Sequence, residues 1–309
     1  MNCDRLLETA KQLGCEILHN EPLSRHTTFK LGGNCIAMIE VGSADALKEL
    51  IRCAKDDKIR YYVLGKGSNV LFDDRGFDGV VLHIGAAMSQ VSFVDDSTVS
   101  VQAGCSLMKL CRCALDNSLT GLEFAYGIPG TVGGAVFMNA GAYGGEIKDI
   151  IKSCTVVTAD GEVETLTAQQ LEMGYRSSSI QKTGAVVCEA VFELEKGDKA
   201  EIEAKMEELM GRRKDKQPLD LPNAGSTFKR PEGFFAGKLI QDCGLRGFKV
   251  GGAQVSQKHC GFVVNADNAS SADVVSLIEQ VQKIVLNETG QFLECEVRIV
   301  PFDEKSEVK

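Results

Sequence analysis

Five short stretches of this 309-residue chain carry groups that could do chemistry. The first is Gly65-Lys66-Gly67-Ser68-Asn69. Successive backbone N–H groups in a glycine turn form a nest for a pyrophosphate, and Ser68 and Asn69 add side-chain donors. A plain tight turn needs the same glycines, so this loop alone leaves both readings open. The second stretch, residues 121–145 (GLEFAYGIPGTVGGAVFMNAGAYGG), holds eight glycines in 25 positions. Glycines let backbones pack, but few side chains remain here to fill a core. A backbone cradle for a large flat ligand explains the composition better. Third, Tyr175-Arg176-Ser177 carries a cation that Glu172, four residues earlier, could pair with. That says nothing yet about function. Fourth, Asn223-Ala224-Gly225-Ser226-Thr227-Phe228-Lys229-Arg230-Pro231 sets hydroxyls among small residues beside two cations. It suits an anionic substrate, and an ordinary polar loop equally well. Fifth, Glu294 and Glu296 stand two apart on the last expected strand, which puts both on one face and Cys295 on the other. Acid–base work and ordinary surface charge are both open to them.

Several chemistries are excluded. No G-x-x-x-x-G-K-[ST] loop is present, so ATP hydrolysis is not indicated, and no G-x-G-x-x-G opens a helix as in a Rossmann site. No G-x-S-x-G elbow exists, and His259 is remote from Ser226 in sequence, which leaves a serine-hydrolase triad without support. The twelve cysteines are scattered. Cys111 and Cys113 are the one close pair, no C-x-x-C exists, and only four histidines could join them. Reduced, buried thiols are expected rather than disulfides or a metal site. With 34 basic and 43 acidic residues the net charge is −9, which disfavours nucleic acid and anionic membranes. Basic groups for an anionic substrate must be gathered locally; 229–230 and 212–216 offer them, although 212–216 reads equally well as an ordinary solvated charge run. No apolar run approaches the ~20 residues of a membrane helix. The N-terminus lacks an apolar signal core, so the expected compartment is the cytoplasm.

The length and the 44% apolar content fit two or three subdomains. Residues 36–41 read as a strand. Ser43 caps a helix with Leu47, Leu50, Ile51 and Ala54 on one face, and Tyr61–Leu64 is a second strand, giving a β-α-β unit that ends at the glycine loop. Strands are expected at 80–84, 91–94 and 99–102, a helix at 107–119, a hairpin at 155–166 and a strand at 186–194. Arg176 stands between an expected helix and that last strand. Lys196-Gly197-Asp198 reads as a boundary, followed by a charged helix near 199–214. Beyond it come short strands at 250–255 and 261–265. A helix then opens at Ser270 or Ser271 with Val274, Val275, Ile278, Val281, Ile284 and Val285 on one face, before a terminal strand at 293–300 and a tail, 303–309, expected to fray.

Taken together, LGKGSN, GIPGTVGGAVFMNAGAYGGE, GYRSS, NAGSTFKRP and LECEVR, in this order, resemble the UDP-N-acetylenolpyruvoylglucosamine reductase family. The likeness runs from His26-Thr27-Thr28-Phe29-Lys30-Leu31-Gly32-Gly33 to Val300. It implies an α+β fold: a vanillyl-alcohol-oxidase-type FAD-binding domain over 1–197, split near 65–80, and an α/β substrate-binding domain over 198–309. Gly65, Lys66, Gly67, Ser68 and Asn69 would hold the pyrophosphate of non-covalent FAD. Gly127, Ile128, Pro129, Gly130, Thr131, Gly133 and Gly134 would line the flavin. The family's catalytic Arg, Ser and Glu fall on Arg176, Ser226 and Glu296, which leaves Glu294 an ordinary surface acid. Substrate contacts would fall to Tyr143, Tyr175, Lys229 and Arg230.

The implied reaction takes a hydride from NADPH through FAD to C3 of the enolpyruvyl group of UDP-N-acetylglucosamine enolpyruvate, in peptidoglycan precursor synthesis. Arg176, aided by Glu296, would stabilise charge developing toward the carboxylate, and Ser226 would protonate C2. Three departures from the family matter. Lys66 replaces a common Gly. Arg230 replaces an Asn that contacts substrate in some members. The connection from Arg176 to Val186 is short and lacks a substrate-clamping Tyr, as in the type II branch. A monomer is expected. The alternatives are a flavin-dependent sugar or lactone oxidase of the same superfamily and a nucleotide-binding module without chemistry. Intact Arg176, Ser226 and Glu296 speak against both.

Overall fold

The computed structural model describes residues 3–303. The tail expected to fray lies outside the described residues from position 304 onward. The fold is α+β. The chain forms two compact units and crosses between them more than once. Residues up to His19, Ala37–Lys66 and Gly79–Arg212 form the first, while Asn20–Ile36, Gly67–Asp78 and the chain from Arg213 form the second.

In the first unit, the Ser43 hydroxyl accepts the Ala46 N–H at 3.1 Å and starts the helix Ala44–Asp56. Leu47, Leu50, Ile51 and Ala54 are buried, as their spacing demands, and helix Asp4–Gln12 packs against Ala44–Asp56. A four-stranded sheet runs in the order Glu16–His19, Cys35–Glu40, Phe77–His83, Tyr61–Leu64. The expected β-α-β unit is present, but Phe77–His83 lies between its two strands and pairs in parallel with Tyr61–Leu64. A five-stranded antiparallel sheet has the order Val163–Thr167, Ile151–Val157, Val186–Glu193, Thr98–Gln102, Val91–Phe93. Helix Val132–Met138, unforeseen inside the glycine-rich stretch, packs on Val186–Glu193.

The compact units do not follow a single break at 197/198. Helix Lys199–Lys216 buries Ile202, Met206 and Leu209 on one side. Thr120 and Ile202 flank Gly197, whose N–H bonds the Ser118 carbonyl at 2.9 Å. These contacts keep the helix with the first unit as far as Arg212. Nor is there a helix ahead of Arg176. Residues 168–173 are mostly turns, and the short helix Ile180–Thr183 follows the arginine instead.

In the second unit, helices Ala236–Asp242 and Ser271–Thr289 pack together over a core that includes Phe29, Leu71, Phe228, Ile240, Val263 and Val281. Ser270 and Asp273 form a capping box: the Ser270 hydroxyl accepts the Asp273 N–H at 3.0 Å and the Asp273 carboxylate accepts the Ser270 N–H at 2.9 Å. The expected strand at 250–255 is a hairpin, Lys249–Val250 and Ala253–Val255, because Gly251, at φ +53°, turns the chain where any Cβ would strike the Asp273 carboxylate. The terminal strand is shorter than expected. Only Arg298–Val300 is regular, parallel to Val70–Phe72, while Cys295 makes an isolated antiparallel bridge to Phe228. Among the described residues no helix is long and apolar enough to cross a membrane.

Candidate active site

The glycine loop leaves strand Tyr61–Leu64 and passes from the first unit to the second between Lys66 and Gly67. On the first side, a Cβ at Gly65 would collide with the Thr131 hydroxyl. On the second side, Gly67 has φ +63° and a Cβ there would run into the His26 carbonyl. The Gly67 carbonyl accepts the Thr28 N–H at 3.0 Å. The glycines are therefore needed for close backbone approach. Among the described residues the N–H groups of Lys66, Gly67 and Ser68 have no acceptor.

Residues 127–134 are held from one side. Leu107 N–H donates to the Gly130 carbonyl at 3.0 Å, while Val132 and Gly133 N–H donate to the Cys105 and Ala103 carbonyls, each at 2.8 Å. Ile128 N–H bonds the Ala125 carbonyl at 3.0 Å. Pro129 is exposed and Gly127 half-buried. The Thr131 hydroxyl accepts the Gly134 N–H at 3.4 Å and caps helix Val132–Met138. Gly134 is exposed, and a Cβ there would meet nothing closer than the Thr131 hydroxyl at 3.6 Å. A helical glycine costs roughly 0.5–1 kcal/mol relative to alanine. Nothing packed around Gly134 in the first unit requires a glycine there.

Arg176 is half-buried in the first unit with φ +52°. Its Nη2 donates to the Gly141 carbonyl at 2.9 Å, and its guanidinium lies 5.1 Å from the Tyr175 ring. The possible partner Glu172 pairs instead with Lys182 at 3.5 Å. Tyr143, at φ +54°, and Tyr175 are exposed. Sequence reasoning missed the groups that hold this region: Asn139, fully buried, with Glu146, Ser178 and Gln181. Burial opposes ionisation of Glu146. Hydrogen bonds from Lys148 and Asn139, with the charges of Lys148 and Arg176, more than offset it and hold the carboxyl below its ordinary range. An asparagine among glycines was the available signal, since Asn tolerates the left-handed conformation found at φ +43°.

In the second unit the structure brings three separated stretches together. Glu296 N–H donates to the Thr227 carbonyl at 2.8 Å, Lys229 N–H to the Glu294 carbonyl at 2.8 Å, and Asn69 Nδ2 to the Glu296 carbonyl at 3.2 Å. The residue after Ser226 is thus bonded to Glu296, and the end of the glycine loop lies against Glu296. Asn223 shapes the turn by accepting the Gly225 N–H at 2.9 Å, and its own carbonyl is held by the Thr28 hydroxyl at 2.6 Å. Gly225, at φ +79°, then exposes Ser226, while Thr227 and Phe228 are buried. Among the described residues the Ser226 hydroxyl has no partner. Lys229 Nζ meets Glu294 at 2.5 Å, and the Arg230 guanidinium lies 3.9 Å over the Phe235 ring with Nε bonded to the Phe234 carbonyl at 3.3 Å. Burial, assisted by the flanking carboxylates, pushes the Cys295 thiol up to about 11, so it stays protonated.

Comparison with known proteins shows the family. A family model described as UDP-N-acetylenolpyruvoylglucosamine reductase, C-terminal domain, matches residues 217–300, and one described as FAD binding domain matches 36–167. The UDP-N-acetylenolpyruvoylglucosamine reductase of Lachnoclostridium phytofermentans is 50% identical over 91% of this chain and 92% of its own. The chain belongs to the UDP-N-acetylenolpyruvoylglucosamine reductase family. A reductase of that name from Agathobacter rectalis is 48% identical over 95% of this chain and 96% of its own. The crystal structure of the Thermus caldophilus enzyme superposes with a TM-score of 0.79 at 33% identity, covering 93% of this chain and 99% of that one.

The cofactor that this family implies can be tested against the residues. A diphosphate needs several convergent donors, and the N–H groups of Lys66, Gly67 and Ser68 are without acceptors among the described residues. A flat ring system needs bare backbone, and Gly134 is exposed and presents bare backbone. The residues present fit FAD.

Proposed function

We propose that this chain is the NADPH-dependent flavoenzyme that reduces the enolpyruvyl group of UDP-N-acetylglucosamine enolpyruvate to give UDP-N-acetylmuramate. Family membership along more than nine-tenths of the chain carries this reading. The donors of Lys66, Gly67 and Ser68 and the bare stretch 127–134 would hold FAD, with Gly65 and Asn69 closing the loop. Bound there, FAD would supply the hydride chemistry between NADPH and C3 of the enolpyruvyl group.

The chain's own residues do the rest. Hydride arrival at C3 pushes charge through C2 toward the carboxylate, and the guanidinium of Arg176 stabilises it. The exposed hydroxyl of Ser226 gives a proton to C2, completing the saturated ether. Glu296, acting as a donor, aids Arg176 in stabilising the charge on the substrate carboxylate. Tyr143 and Tyr175 offer ring and hydroxyl contacts. Lys229 and Arg230 offer charge to the diphosphate once exchanged from Glu294 and the Phe235 ring. The two compact units carry the FAD-binding and substrate-binding roles, with the loop at 65–69 shared through its sequence. A monomer working in the cytoplasm is our reading, and thiols such as Cys111, Cys154 and Cys188, whose ionisation burial hinders, suit a reducing compartment. Light scattering on the purified chain checks the monomer.

The deciding experiment uses the purified protein. Acid precipitation should release about one FAD per chain, since the cofactor carries the hydride chemistry. Absorbance of the intact protein should bleach with NADPH and recover on adding the enolpyruvyl substrate. A protein that never takes up FAD, or that bleaches and does not recover with this substrate, overturns the reading.

A further inference from the structure

Arg176 has two anchored ends, and both lead to one short segment of the first unit. Tyr175 and Arg176 are the central residues of a tight turn closed by reciprocal backbone bonds between Gly174 and Ser177, at 3.1 and 3.2 Å. A left-handed conformation costs a non-glycine residue roughly 1–2 kcal/mol. It persists at Arg176, at φ +52°, only because its surroundings impose it. Gln181 Nε2 donates to the Arg176 carbonyl at 3.1 Å and to the Phe137 carbonyl at 2.8 Å. Asn139 Nδ2 donates to the Gly174 carbonyl at 2.8 Å and to Glu146 Oε2 at 3.0 Å, and Asn139 Oδ1 accepts the Lys148 N–H at 2.9 Å. Ser178 Oγ adds a bond to the Phe137 carbonyl at 2.7 Å.

Phe137 lies in the last turn of helix Val132–Met138, where carbonyls have no intrahelical donor. Gln181 therefore satisfies a helix end and grips the strained turn with the same amide. At the other end of the residue, the guanidinium donates to the carbonyl of Gly141, two positions past Asn139. We propose that Gln181 and Asn139 are positioning residues for Arg176: by tying the Tyr175–Arg176 turn to segment 137–141 they set where the guanidinium points. This rests on the reading of Arg176 as the group that stabilises charge on the substrate carboxylate. The competing account is a structural clamp, in which these bonds only stabilise the fold.

A double-mutant cycle on the flavin-loaded enzyme separates the two. Gln181→Met keeps length and removes both donors. Asn139→Gly accepts the left-handed backbone and removes the side chain, and it carries the test if Gln181→Met does not fold. Reduction by NADPH makes no use of the substrate carboxylate, whereas reoxidation by the enolpyruvyl substrate does. We expect Gln181→Met to keep flavin content and reduction within about 2-fold and to slow reoxidation about 10-fold. In an Arg176→Lys background it should add less than about 2-fold, since residues acting through one another are non-additive. Equal slowing of both half-reactions, or the full factor added on top of Arg176→Lys, overturns the positioning role. If Arg176→Lys alone leaves reoxidation unchanged, the reading of Arg176 has failed and the positioning role falls with it. If Arg176→Lys slows reoxidation while Gln181→Met and Asn139→Gly do not, only the positioning role fails.

Discussion

Ser226 is an exposed hydroxyl that follows half-buried Gly225 and precedes buried Thr227, and that contrast is set locally. Thr227 is fixed at both ends: its N–H donates to the Gly261 carbonyl at 2.8 Å and its hydroxyl accepts the Val263 N–H at 2.9 Å. The turn holds without help from the Ser226 side chain, so Ser226→Ala should fold with its melting temperature nearly unchanged. If Ser226 is the proton donor, reduction by NADPH should stay within a few-fold. Reoxidation by the enolpyruvyl substrate should slow by on the order of 10²–10⁴, the range for a positioned general acid. Stopped-flow absorbance of the flavin reads both halves; equal slowing of the two, or no slowing, removes Ser226 from the catalytic set. The same scale separates the two terminal glutamates. Glu294 is exposed and occupied by Lys229, an exposed pair worth about 0–1 kcal/mol. Glu296 is half-buried and has its backbone locked to Thr227 and Asn69.

At the scale of elements, two glycines should answer substitution with opposite signs. Gly67 sits at φ +63° with the His26 carbonyl where a Cβ would go, so Gly67→Ala should lower the melting temperature and abolish FAD uptake together. Gly134 lies in a helix with open space around it. Gly134→Ala should therefore stabilise the flavin-free protein by roughly 0.5–1 kcal/mol and still weaken FAD binding, because the new methyl intrudes only on a ligand. Melting curves of the apoprotein and FAD titrations measure the two effects. A Gly134→Ala protein that binds FAD as tightly as the wild type would mean the bare helix face is not part of the cradle. The long helices were legible because their caps and periodicity are local: Ser43 and Ser270 both begin helices, with Leu47 and Val274 buried one turn in. Helix Val132–Met138 was not legible, since two glycines in seven residues suppress the helical signal and packing on Val186–Glu193 supplies what propensity lacks.

For the whole molecule, acid stability has an identifiable contributor in His259. Burial lowers its pKa, and the charges of Arg246 and Lys216 add to the effect, against a backbone hydrogen bond that opposes it. The folded value thus lies below the unfolded one of about 6.5. As pH falls through that value the unfolded chain takes up a proton that the folded chain refuses. The stability is whole above about pH 6.5 and is lost as pH falls toward the folded value. His259→Gln, which can still accept the Gly261 N–H, should flatten the decline in melting temperature between pH 7.5 and 5.5. A variant that declines in parallel with the wild type would show that other groups dominate. The thiols add no comparable liability: burial pushes Cys154 and Cys188 up to about 12, where they remain neutral and unreactive.

Sequence alone determined what depends on neighbours along the chain. Caps and apolar spacing placed the helix after Ser43 and the helix opening at Ser270 or Ser271, and the order of five short motifs placed the family. The terminal strand was overextended, because bridging to Phe228 at Cys295 leaves the segment before Arg298 irregular, and no local pattern encodes such a partner. Tertiary structure alone decided that the chain's compact units interleave, with Gly67–Asp78 and Asn20–Ile36 joining the C-terminal residues. It alone put Asn69, Ser226 and Glu296 side by side, and Gln181 and Asn139 behind Arg176. The reason is physical: apart from the bond of Gln181 to the Arg176 carbonyl five positions away, these contacts are backbone and amide hydrogen bonds between stretches 35 to 227 positions apart, and periodicity carries no information at such separations.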